Sequence, residues 1–157
     1  MKLEDLLIEH GKRKHIGRLE LDATGVCSLI VNGTYVVSFE KSLDGKGFYL
    51  YGVVDTLSDD HAQELALSLL TSNLFGRETG RCSLGYEPSN HSLILFAYIE
   101  EESTDFNTYY RQFENFVTYL SYWIEKVDQM KAHPAGQGAG KPTPITDADG
   151  HKKIFYG

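Results

Sequence analysis

Leu69-Leu70-Thr71-Ser72-Asn73-Leu74-Phe75-Gly76-Arg77-Glu78-Thr79-Gly80, followed by Leu84-Gly85-Tyr86, is the stretch whose reading decides the fold. Its leucines close an amphipathic helix, Gly76 marks the stop, and the chain after Gly80 turns into a strand. None of these residues is suited to difficult chemistry. Working back, Ser58 is the expected N-cap, and Asp59 and Asp60 complement the positive end of the helix dipole. Ala62, Leu65, Ala66, Leu69 and Leu70 make a narrow stripe of apolar and small residues on this helix, predicted over 58–75.

Upstream, Leu3, Leu6, Leu7 and His10 stand at helical spacing, so a first short helix is predicted from Lys2 to about Lys12. Leu19 and Leu21 alternate with Arg18, Glu20 and Asp22 in the manner of a half-buried strand, and Cys27, Leu29 and Val31 alternate in another. Asn32-Gly33 predicts a hairpin turn into Thr34–Phe39, and Phe48–Val54 makes a further strand. Short runs joined by short turns imply an antiparallel sheet. Downstream, Leu93–Ile99 is apolar on both faces, as a central strand would be. From Thr104-Asp105 onward, Phe106, Tyr109, Tyr110, Phe113, Phe116, Val117, Leu120, Trp123, Ile124 and Val127 hold a spacing of three and four over about six turns, the pattern of a helix stripe packed on the sheet. The expected class is α+β: a short N-terminal helix, a twisted antiparallel sheet of about five strands, a second helix, and a long C-terminal helix packed on the sheet.

The 157 residues are 41% hydrophobic and 24% charged with a net charge of −7, the composition of one soluble domain. No apolar run approaches the ~20 residues that span a bilayer, and Met1-Lys2-Leu3-Glu4-Asp5 lacks the apolar core of a signal peptide. A cytoplasmic location without membrane insertion is expected. Nucleic-acid binding rests on phosphate neutralisation, which an acidic chain with one basic cluster, Lys12-Arg13-Lys14, serves poorly. Cys27 and Cys82 fit neither a metal knuckle nor a disulfide framework and are expected as buried small hydrophobes. The six histidines lack ligand spacing, and Gly136–Lys141 fails the phosphate-loop pattern at Ala135 and Pro142. Glu100-Glu101-Glu102 is expected as a solvated loop. No metal, no cofactor and no enzyme activity are expected.

The composition changes near Ala132, and His133 to Pro142 holds too little apolar surface to offset its ordering entropy. The expected organisation is a domain over 1–131 and a flexible tail over 132–157. Ile154, Phe155 and Tyr156 restore apolar character at the tail's end, either as a docking motif or as a sticky end.

Three motifs in order carry a family resemblance. Leu69–Gly80 with Leu84-Gly85 is similar to the "ANLFG-x-x-T-G-x-x-LG" signature of the class I type III secretion chaperones, the Tir-chaperone or CesT family. Leu6-Leu7-Ile8-Glu9-His10-Gly11 resembles its opening "LL-x-E-F-G", with His10 where Phe is usual, and Leu19–Leu29 resembles "L-x-LD-x-x-G-x-C-x-L". The resemblance runs from about Leu3 to Val127. It implies a cytoplasmic homodimer that holds the N-terminal segment of one or several secreted effector proteins extended and secretion-competent, without ATP. The secretion ATPase or export apparatus is implied as a further partner. It also implies dimerisation through the second helix and the adjacent strand, by Ala62, Leu65, Ala66, Leu69, Leu84 and Tyr86. A groove between the first helix and the strands is the expected cargo site, formed by Leu3, Leu6, Leu7, Ile16, Leu19 and Leu21, with part of this set serving as core. The rival reading is a regulatory protein that sequesters a transcriptional regulator through the same surface.

Overall fold

The computed structural model describes residues 1–132. The expected tail, with Ile154, Phe155 and Tyr156, lies outside the described residues. The order is α1 (Leu3–Lys14), β1 (Val26–Val31), β2 (Tyr35–Lys41), β3 (Gly47–Thr56), α2 (Asp59–Asn73), a 3-10 turn (Leu74–Gly76), β4 (Ser83–Glu87), β5 (Ser92–Glu100) and α3 (Phe106–Ala132). The five strands form one antiparallel sheet in the order β1-β2-β3-β5-β4. This is the α+β architecture expected, and β5 lies inside the sheet as its apolar run implies.

One face of the sheet is the core. Val37, Phe39, Phe48, Leu50 and Leu95 are fully buried there, and α3 lays Tyr109, Phe113, Phe116, Leu120 and Trp123 against them. Phe39 and Phe113 stack with ring centres 6.1 Å apart. At Gly52 a Cβ would lie 2.7 Å from Leu120 Cδ2, so the missing side chain is what lets α3 sit close on β3. Asp105 caps α3 by accepting from the Thr108 N–H at 2.7 Å, and Ser58 caps α2 by accepting from the His61 N–H at 3.3 Å. The β1–β2 hairpin turns at Asn32 and Gly33, both at positive φ (52° and 69°), a conformation these two residue types adopt at low cost.

Two local expectations are corrected. Leu19–Asp22 is not a strand: Gly17 (φ 87°) redirects the chain, and the Asp22 carboxylate accepts from the N–H groups of Thr24 and Val26, winding it into a turn. The alternation of Leu19 and Leu21 is satisfied by packing on the core rather than by pairing. Glu101 is not solvated. It is 5% exposed, accepts from the Leu3 N–H at 2.9 Å and pairs with Lys2 at 2.9 Å, so it caps α1 and ties it to the β5–α3 loop.

Candidate peptide groove and pairing face

β1 lies at one end of the sheet and pairs only with β2 among the described residues. The Thr34 N–H donates to Val31 O on the β2 side, whereas the Asp22 N–H donates to Val26 O on the opposite side. Direction alternates along a strand, so the backbone groups of Ser28 and Ile30 point to the open edge. Beside that edge runs a groove of about 670 Å³ between β1, the C-terminal end of α1 and the first half of α3. Its walls carry Ile16, Ile30, Tyr110, Phe113 and Val117, with His10, Lys14 and Glu114 among the polar members. Ile16 and Ile30 are 53% and 69% exposed, so apolar surface stands ready on both sides of an unpaired edge.

His10 braces this groove from inside. It is buried, its Nδ1 lies 2.7 Å from the Tyr109 hydroxyl, and Phe113 meets its ring edge-on with centres 4.8 Å apart. A polar ring thus fills the aromatic position of the opening motif and satisfies a buried hydroxyl. Burial, with a smaller contribution from the Lys14 charge, lowers its pKa and favours the neutral ring. The Lys14 ammonium lies 4.6 Å from the centre of the Tyr110 ring.

The expected cargo residues fall into three groups. Leu3, Leu6 and Leu7 are fully buried and hold α1 on the core. Leu19 and Leu21 are half-buried against that core, and Ile16 alone lines the groove. Sequence reasoning missed Ile30, Tyr110, Phe113 and Val117 as groove residues. The available signal was Ile30, an apolar residue at a strand position where alternation calls for a polar one.

The opposite end of the sheet carries a second apolar surface. A cavity of about 430 Å³ between α2 and β4 brings together Ala62, Ala66, Leu69, Leu84 and Tyr86, with Leu65 half-buried against the core nearby. Leu67 and Leu70 stand 79% and 64% exposed on the same helix. The glycine-marked signature builds this face. Asn73 donates from Nδ2 to Leu84 O at 3.0 Å and accepts the Leu84 N–H at 2.7 Å, pairing with β4 as a strand residue would. Gly76 and Gly80 take positive φ (64° and 60°), and a Cβ at Gly80 would lie 2.4 Å from the Tyr119 ring. Trp123 Nε1 donates to Glu78 O at 2.9 Å, and Lys126 binds the Glu78 carboxylate, fixing the turn to α3.

Both cysteines are buried. Burial raises the Cys27 thiol pKa and pushes Cys82 up to about 11, suppressing the thiolate a nucleophile needs. Among the described residues no helix is long and apolar enough to cross a membrane.

Comparison with known proteins agrees with this fold. The Tir chaperone protein (CesT) family model matches residues 5–124. The Tir chaperone of Citrobacter freundii is 32% identical over 92 residues, which is 58% of this chain and 58% of that one. A Chlamydia pneumoniae protein is 24% identical over 106 residues, covering 68% of this chain and 80% of its own. Among solved structures, the HopA1–SchA chaperone–effector complex gives a TM-score of 0.65 at 19% identity, over 77% of this chain and 91% of the matched one. The heterodimeric ExoU–SpcU complex from the type III secretion system of Pseudomonas aeruginosa gives 0.59 at 15% identity, over 79% and 96%. These distant likenesses establish a shared fold. The family model spans most of the sequence, and the chain belongs to the Tir chaperone protein (CesT) family.

Proposed function

We propose that the chain is a type III secretion chaperone that holds the N-terminal segment of a secreted effector extended along the open edge of β1. The observation that carries this reading is the unpaired edge at Ser28 and Ile30 beside an apolar-walled groove. An extended guest would gain backbone hydrogen bonds from the edge and would seat alternate side chains between Ile16, Ile30 and the α3 aromatics. Leu19 and Leu21 border that path, while Leu3, Leu6 and Leu7 support it from beneath. Apolar anchoring bounds each guest side chain at about 1.5–3 kcal/mol, and nothing in the cycle calls for ATP.

The chain works in this reading as a cytoplasmic homodimer without catalytic function, paired through α2 and β4. Ala62, Leu65, Ala66, Leu69, Leu84 and Tyr86 lie at that interface, joined by the exposed Leu67 and Leu70. A dimer would present two grooves to one effector and one composite surface to the secretion ATPase or export apparatus. Family membership favours effector cargo over sequestration of a transcriptional regulator. The test is affinity capture of the full-length chain from its source cell with identification of bound proteins. Secreted proteins captured through their N-terminal segments are expected; capture of only regulatory proteins would overturn the assignment.

A further inference from the structure

The face of the sheet turned away from α1 and α3 carries an aromatic surface that the proposed function does not use. Register places Tyr49 opposite Tyr98, Tyr51 opposite Phe96 and Val53 opposite Ile94, all on this outer side. Tyr49, Tyr98 and Val53 are 40%, 45% and 50% exposed. The rings form a continuous floor, with Tyr49 centred 5.4 Å from Tyr98 and 6.3 Å from Phe96. Glu40 and Glu87 stand among the residues lining the shallow cavity of about 380 Å³ above it. An exposed apolar patch of this kind on a net-negative chain calls for an occupant that is apolar and positively charged.

We infer that the occupant is the chain's own C-terminal segment Lys152-Lys153-Ile154-Phe155-Tyr156, docking on this face in cis. Its composition matches the floor and its rim: three large apolar side chains for the tyrosine and phenylalanine rings, and two lysines for Glu40 and Glu87. The point of departure also fits. Lys131, in the last turn of α3, binds Asp55 at 2.6 Å, and Asp55 follows the exposed Val53 by two residues along β3. Asp55 pairs with the buried Leu93 beyond the bulge after Val53, on the side of the sheet that α3 covers. The chain therefore leaves α3 at the end of β3 and reaches the outer face by rounding that end. A spacer of about 20 residues, if it behaves as a random coil, has a root-mean-square span of roughly 25 Å. Tyr49 lies four residues from Val53, about 14 Å along a strand, and rounding the strand end adds about 10 Å, a path the spacer can cover. The docked segment shields the aromatic face and leaves the β1 groove free for cargo.

The full-length protein tests this by disulfide trapping, with Gly157→Cys, which keeps Phe155 and the floor intact, paired either with Ser83→Cys, exposed on β4 opposite Phe96, or with Leu43→Cys in the exposed β2–β3 loop. Cys27 and Cys82 are buried and stay out of the reaction. Under mild oxidation at low protein concentration, the intramolecular bond to position 83 should form about tenfold faster than that to position 43, the excess over mere tethering that about 1.4 kcal/mol of docking supplies. Glu40→Lys with Glu87→Lys should reduce that advantage. A second readout avoids the introduced cysteines: Phe155→Ser in the full chain should increase modification of Tyr49 and Tyr98 by a tyrosine-specific reagent severalfold. Equal trapping rates at the two positions with unchanged modification would overturn the proposal. So would bonds that form mainly between chains at a rate rising with concentration, which would assign the face to a second copy.

Discussion

Gly11 of α1 is where one missing methyl group governs the path of the chain. A Cβ there would lie 2.1 Å from the Gly17 carbonyl oxygen, so the segment that leads past Ile16 to Leu19 can lie on α1 only because residue 11 is glycine. Alanine is intrinsically better in a helix by about 1 kcal/mol, and the two effects oppose each other. Backbone cannot move aside as a flexible side chain can, so Gly11→Ala should destabilise by about 1–3 kcal/mol net in chemical denaturation. A stabilised variant would show that the contact yields. His10 gives a pH signature at the same scale. Its folded-state pKa is lowered, so the unfolded chain binds the proton more readily, and stability should fall as pH drops below about 6.5. Replacing His10 by Phe removes that titration while leaving the Tyr109 hydroxyl unpaired. The melting-temperature advantage of the natural chain over His10→Phe should therefore shrink from about pH 7 to about pH 5. A constant gap would remove His10 from the acid response. Gly11 and His10 could be placed in a motif from sequence, but their partners Gly17 and Tyr109 could not, because those contacts close only when the fold does. Glu101 was misjudged for the same reason: a carboxylate in an acidic run gives no local sign that a helix N-terminus about 98 residues away will need it.

At the scale of elements, the two ends of the sheet differ: β1 has one paired neighbour among the described residues, and β4 is tied to α2 through Asn73. β1 is an edge strand, where proline is tolerated if its missing N–H faces outward. Ile30→Pro should leave the melting temperature nearly unchanged yet weaken binding of a co-purifying effector segment about tenfold, the loss expected for one backbone hydrogen bond and a buried side chain. Undiminished affinity, measured by titration, would mean that cargo does not pair with this edge. At the other end Asn73 holds β4 to α2. Asn73→Ala leaves the Leu84 N–H and C=O without those partners and should cost about 1–3 kcal/mol for each group left unsatisfied, read by denaturation. Most elements were legible because periodicity is a local property: the α3 stripe, the β1–β2 hairpin and the capped α2 stand where their patterns put them. Leu19–Asp22 was not, because alternation reports which side chains are buried and not whether a neighbouring strand pairs with the backbone. The groove escaped the sequence reading for a related reason. Its walls come from α1, β1 and α3, and strand order alone decides that β1 is left at an edge.

For the whole molecule, the proposed assembly joins two copies at α2 and β4 and leaves both β1 edges outward. Leu70 is 64% exposed and lies in the α2–β4 surface, so charging it should disrupt pairing without harming the monomer. Leu70→Asp should therefore run near the 17.7 kDa chain mass by light scattering with an unchanged melt, where the natural chain gives twice that mass. A natural chain that is itself monomeric would refute the paired assembly. In the proposed complex the effector segment lies along β1, and backbone amide exchange reads that path most directly. In the complex with a co-purifying effector segment, exchange at the Ser28 and Ile30 amides should slow by orders of magnitude relative to the free protein, with the α2 and β4 amides unaffected by cargo. Slowed exchange elsewhere, with Ser28 and Ile30 as fast as in the free chain, would contradict it.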